Sequence, residues 1–200
     1  MYSKAHSIVI GFHGCDRATR DAIVAGEKMK PSSNDYDWLG SGLYFWENNL
    51  TRAMEFAKEK QQRDSTLKEP AVLGAVIDLG KCLDLTDSAN LPLLRGSYKA
   101  LVNIHKATNK PLPKNKTVGT SFDLLKRDLD CAVINTLHEL RQAVGKDSFD
   151  SVRGVFWEGE ELYPGAGFKE KNHIQICVRN VNCIKAFFKP RELDILYPIP

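Results

Sequence analysis

Several kinds of segment are missing from this chain. No apolar run approaches bilayer-spanning length, and no basic region followed by an apolar one opens the sequence. The reading is therefore a protein with neither a transmembrane helix nor a secretory signal. There is no Cys-x-x-Cys pair, and the five cysteines (Cys15, Cys82, Cys131, Cys177, Cys183) are odd in number and scattered. That pattern argues against a disulfide framework and a zinc site, and for reduced thiols in a cytoplasmic protein. Each thiol reads as a small buried hydrophobe, and only Cys15 stands beside a candidate site. No internal repeat or low-complexity linker occurs, and nothing in the sequence asks for a metal. Acid is nearly absent from one stretch. Between Arg95 and Arg127 stand Lys99, Lys106, Lys110, Lys114, Lys116 and Lys126, against the single acid Asp123. Such a segment is either a solvated lysine loop or a field that holds a phosphate backbone. The net charge of the whole chain, +3, does not choose between them.

What is present is enough for one domain, residues 1–200, with a sizeable core. The densest information lies in Tyr36 to Ala57. Gly40 and Gly42 flank Ser41 and allow a tight backbone path. Leu43, Tyr44, Phe45 and Trp46 form an aromatic run suited to a buried strand. Asn48 or Asn49 can cap the helix that follows, with Leu50, Ala53, Met54 and Ala57 on one face and an end near Arg63. A tyrosine beside such glycines is either a core residue or part of a pocket for a flat ring.

Around that stretch the pattern predicts a short strand over Ile8–Phe12 ending in His13-Gly14, then a helix from Asp16 to Gly26. Lys28–Tyr36 reads as a polar loop. Val72–Leu79 reads as a strand, followed by Cys82-Leu83-Asp84-Leu85. Asp87 or Ser88 would cap a helix through Leu94, and Ser97–His105 would form another. Asn109–Val118, with Pro111 and Pro113, reads as a loop. Ser121 or Asp123 would start the longest helix, about Phe122 to Val144, ended by Gly145. Ser151–Trp157, His173–Asn180 and Cys183–Phe188 read as strands, with a glycine- and acid-rich loop over Glu158–Asn172. Strands cluster at the two ends with a helical insertion over roughly 86–148, so the fold class is α+β.

Three elements line up in chain order: Phe12-His13-Gly14, Gly40-x-Gly42-Leu43-Tyr44-Phe45, and a late strand carrying Gln175-Ile-Cys-Val-Arg-Asn180. Together they resemble the ADP-ribosyltransferase superfamily, in the branch of poly(ADP-ribose) polymerases and diphtheria-type toxins. The resemblance implies a split antiparallel β-sheet with flanking helices, and a His, a Tyr and a Glu on three strands around NAD. In this sequence it assigns His13 to a ribose hydroxyl and Gly14 to the nicotinamide carboxamide. Tyr44 would stack on the nicotinamide, and Phe56 on the next helix would be a second aromatic, one residue late by simple counting. Arg17 or Arg20 would meet the pyrophosphate. The bond between nicotinamide and ribose breaks through an oxocarbenium-like transition state, as in glycoside hydrolysis.

The departure is Gln175, which stands where the family has Glu. Glutamine keeps a hydrogen bond to the ribose 2′-hydroxyl but supplies no charge to the transition state. Glu158, Glu160, Glu161 and Glu170 in the preceding loop are other sources of charge. His173, two residues before Gln175, shares its strand face and is assigned with Glu161 to the acceptor side. The resemblance thus implies a mono-ADP-ribosyltransferase consuming NAD, without a metal, in the manner of a bacterial toxin or defence effector. The acceptor would be a macromolecule, RNA or DNA being favoured over protein, and a neutralising antitoxin is a further expected partner. An NAD glycohydrolase and a non-catalytic NAD- or partner-binding module are the alternatives.

Overall fold

A computed structural model describes residues 8–118 and 123–197. It is a mixed α/β structure in which one large, mostly antiparallel sheet carries four helices. In chain order the elements are β1 (Ile8–Asp16), α1 (Arg17–Val24), β2 (Leu43–Glu47), α2 (Leu50–Arg63), β3 (Pro70–Asp78) and β4 (Cys82–Asp84). There follow α3 (Leu91–Ala107), the two-residue strands β5 (Asn115–Lys116) and β6 (Lys126–Arg127), and α4 (Asp128–Ala143). The chain closes with β7 (Ser151–Phe156), β8 (His173–Val178) and β9 (Ile184–Phe188). Among the described residues, no helix is long and apolar enough to cross a membrane.

Local chemistry explains most boundaries. Asp16 ends β1 and caps α1 by accepting from the Ala18 amide, while its other oxygen accepts from Lys68 and Glu69 ahead of β3. Asn48 takes a left-handed φ of 49°, and Asn49 then accepts from the Arg52 amide to start α2. Three sequence expectations change. β1 runs through His13-Gly14 to Asp16, because Val72, Leu73 and Ala71 continue to pair with it. The two short helices expected over 87–105 are one helix, α3, after a single 3₁₀ turn at Ser88–Asn90. Gly96 lies inside it with open space around its Cα, so nothing breaks the helix there. α4 starts at Asp128, not near Phe122 (which falls outside the described residues), and is shorter than α3.

The seven-stranded sheet has the order β4-β7-β8-β2-β1-β3-β9, with β4 and β7 parallel and every other pair antiparallel. Cross-strand partners share a face. One face carries Phe12, Gly14, Tyr44, Trp46, His173, Gln175, Cys177, Val152, Gly154 and Phe156. There α2 packs through Ala53, beside Trp46 and Val72, and α4 packs Ile134 and Leu137 beside Val152 and Cys177. So α4 is a layer of the core rather than an appended insertion. The opposite face buries Leu43, Phe45, Ala75, Ile77, Ile176 and Val178, closed by Ile184 and Phe187 of β9. Cys15 is buried there beside Ile23 and Leu73, and burial pushes its thiol up to about 11, an unreactive value.

His138 of α4 is 1% exposed, donates from Nδ1 to the Ile134 carbonyl at 2.8 Å, and meets the Phe149 ring edge-on. Burial, helped by Arg179 and Arg141, lowers its pKa to about 4. A histidine held neutral in the fold contributes stability that is fully present above about pH 6.5 and is lost as pH falls toward 4. His138 should therefore contribute about 2 kcal/mol to the stability lost between pH 7 and pH 5, read by urea unfolding. Replacing His138 with glutamine should remove that share of the difference.

Candidate functional site

The three expected site residues lie on three adjacent strands, β1, β2 and β8. Strands β1 and β2 share only two register pairs, Gly11 with Glu47 and Phe12 with Trp46. Past them β1 stays paired with β3 as far as Asp16, and β2 stays paired with β8 as far as Leu43. The sheet therefore parts at His13 and Phe45. The Ile10 carbonyl accepts from Asn48 on the β2 side. Alternation along β1 thus aims the Gly14 amide and carbonyl to the same edge, beyond the last pair.

His13 bridges the parting strands: its Nδ1 lies 2.9 Å from the main-chain oxygen of Tyr44. Burial lowers its pKa, with the Tyr44 carbonyl opposing and Lys60 adding to the shift. The neutral ring donates through Nδ1 and leaves Nε2 as a lone-pair acceptor, which suits a hydroxyl donor. Alternation puts this ring on the face of Phe45, whose ring it meets at 6.1 Å, whereas Tyr44 and Gln175 point to the opposite face. The sequence reading gathers all three in one cleft; the structure brings their strands together, with His13 at the parting edge.

Tyr44 does not face open space. Its hydroxyl donates to the Gly40 carbonyl at 2.7 Å and accepts from the Leu39 amide at 3.0 Å, and burial drives its pKa far up. Gly40 is held with φ +80° in this turn, where a side chain would be strained. The Gln175 Oε1 accepts the Trp38 indole N–H at 2.7 Å. Trp38 lies across Gly154, where a Cβ would come within 2.8 Å of the ring. Above it, the Arg127 guanidinium stacks 5.0 Å from Trp38 and 4.3 Å from Phe156.

Phe56 packs on Trp46 at 4.9 Å, as part of the core under α2. His173 is 6% exposed and stacked on Phe156, with Nδ1 donating to the Lys171 carbonyl at 2.6 Å. Burial lowers its pKa. It thus lies inside the molecule rather than on an acceptor-facing surface. Glu161 is exposed and accepts from the Gly165 amide at 2.8 Å in the loop before β8. Arg17 pairs with Glu69 at 2.7 Å with both side chains largely in solvent, and Arg20 pairs with Asp21.

Two residues that sequence reasoning missed dominate the electrostatics. One is Arg127. The other is Arg52, 4% exposed, which meets Glu158 at 3.0 Å, Glu59 at 3.4 Å and Glu55 at 3.8 Å and lies over the Trp46 ring. Its signal was legible, since Arg52, Glu55, Phe56 and Glu59 fall on one helical stripe. Glu158 is thereby the loop acid drawn into the interior. Arg52 Nε, Trp46 Nε1 and His173 Nε2 have no partner among the described residues, although all three side chains are more than nine-tenths buried. Such atoms cost free energy unless a water or ligand satisfies them. Among the described residues no His, Cys, Asp or Glu cluster suits a metal ion.

Compared with known proteins, the chain is 28% identical over 193 residues to an uncharacterised protein of the archaeon Methanocaldococcus jannaschii. That match covers 87% of this chain and 83% of the relative. The chain matches no family model. No solved structure matches it.

Proposed function

We propose that this chain is an NAD-dependent mono-ADP-ribosyltransferase acting on a macromolecule, in the manner of a toxin or defence effector. The observation that carries the reading is the parting of β1 from β2 at His13, with β8 and Gln175 on the far side of β2. A split sheet with these strands adjacent is what NAD binding in this superfamily requires. The neutral His13, anchored on the Tyr44 carbonyl, offers Nε2 to a ribose hydroxyl. Gly14 offers an amide and a carbonyl to the carboxamide. Gln175 would hold the ribose 2′-hydroxyl, and Trp38 and Arg127 would shield that side from water. No metal takes part in this scheme.

The test is incubation of purified protein with labelled NAD and a cell lysate. Label should enter a nuclease- or protease-sensitive fraction, and His13→Ala should abolish the transfer. Label recovered only as free ADP-ribose would identify an NAD glycohydrolase instead.

A second reading rests on a specific observation: the Tyr44 phenol and the Gln175 amide already have protein partners. A non-catalytic module would bind NAD or a partner over these closed groups. Calorimetry showing NAD binding without turnover would select it.

A further inference from the structure

We propose that the outer face of α3 and the turn that follows it form a binding groove for single-stranded nucleic acid. The inference builds on the transferase reading by naming its acceptor class, and it stands on different residues. Helix α3 buries Ser97 and Leu101 and ties Ser97 Oγ to the Val133 carbonyl of α4 at 2.8 Å. That orientation leaves Arg95, Tyr98, Lys99 and Lys106 outside. Asn109 then takes a left-handed φ of 51° and turns the chain back, and the His105 ring nitrogen meets the Pro111 carbonyl at 3.0 Å. The result is a groove of about 610 Å³ along the helix, lined by Tyr98, Val102, His105, Lys106, Lys110 and Pro111 among others.

Charge selects the occupant. No Asp or Glu occurs from residue 88 to residue 122. The acids just beyond are engaged elsewhere: Asp128 with Lys116 and Lys126, Asp130 with Arg127, and Asp123 with Lys169. Arg95, Lys99, Lys106, Lys110 and Lys114 have no carboxylate partner among the described residues. A helix C-terminus accounts for cations in its last turn, such as Lys106, but not for Arg95, Lys99, Lys110 or Lys114. Tyr98, 41% exposed, puts a flat ring on the wall of this cationic groove. A phosphate backbone with a base free to stack satisfies both features. A duplex satisfies only the first, because its bases are already stacked.

Cationic side chains, here paired with Asp128 and Asp130, continue toward the candidate site. Five residues past Pro111, Lys116 pairs in register with Lys126, whose ammonium lies 5.9 Å from the Tyr36 ring. The next residue, Arg127, stacks on Trp38, which holds Gln175. A strand seated in the groove would be directed along β5–β6 toward the residues assigned to NAD.

Fluorescence anisotropy with a labelled 12-nucleotide RNA of mixed sequence, titrated with the intact chain, tests the proposal. Binding should fall with salt at a log–log slope of roughly −3, the value for four to five neutralised phosphates of a single strand. Lys106→Gln with Lys110→Gln should bring the slope closer to zero by about 1.4. Tyr98→Ala should weaken binding by about tenfold or more while keeping the slope. All three positions border solvent, and an unchanged melting temperature will verify that the variants fold. Binding of the RNA with no salt dependence, or equally by wild type and variants, would overturn the proposal. So would tighter binding of a poly-glutamate peptide than of the RNA, which would make the groove a protein-docking surface. Failure to bind NAD would sink the transferase reading and leave the groove standing. Failure to bind RNA by a chain that binds NAD would sink the groove alone.

Discussion

Gln175→Glu is expected to retain or raise NAD cleavage, by as much as about 100-fold. A carboxylate about 5 Å from the developing positive charge, at an effective dielectric near 20, is worth about 3 kcal/mol in the transition state. That corresponds to roughly two decades in rate. The local structure accommodates the change. The Trp38 indole already donates to Gln175 Oε1 at 2.7 Å, and a carboxylate oxygen at the same place accepts that hydrogen bond as well. Glutamate also matches glutamine in shape, so no repacking against Gly154 or Trp38 is required. The measurement is nicotinamide release under single-turnover conditions for both proteins. Complete inactivity of the Glu variant beside an active wild type would show that residue 175 does not face the reacting ribose.

Gly14→Ala is expected to destabilise the fold by about 3 kcal/mol or more, lowering the melting temperature by about 6–12 °C. A Cβ at this position would lie 2.1 Å from the Ala53 carbonyl oxygen and 3.2 Å from the Ala57 nitrogen. Both are main-chain atoms of α2, so no rotamer change relieves the contact. The helix would have to lift from the sheet, uncovering Trp46, Ala53 and Val72. Gly96→Ala is the control. Nothing lies within 4 Å of its added Cβ, and alanine in the interior of α3 should stabilise by about 0.5–1 kcal/mol. Thermal unfolding of the two variants side by side decides the matter, and a Gly14→Ala protein as stable as wild type would mean that α2 packs less closely than described. Gly14 is thus required by packing, whatever its amide and carbonyl bind.

The sequence by itself determined the pieces whose signals are local. Alternation and aromatic runs marked β2 and β8, Asn48 or Asn49 marked the start of α2, and the ordered set of His13, Tyr44 and Gln175 came from the resemblance of three short motifs to a known superfamily. Those signals depend on a residue and its near neighbours, through backbone freedom, capping and side-chain period. Only the tertiary structure decided which of these residues meet. It put His13 on the face opposite Tyr44 and Gln175, because the register pairs Phe12 with Trp46 and Trp46 with Gln175, so that the next residue of β1 points the other way. It joined Trp38 to Gln175 across 137 positions, drew Arg52 inward onto Glu158, and turned α4 into a wall of the core. Contacts at such separations are fixed by which apolar faces can be buried together and which buried charges find partners, and no short stretch of the chain carries that information.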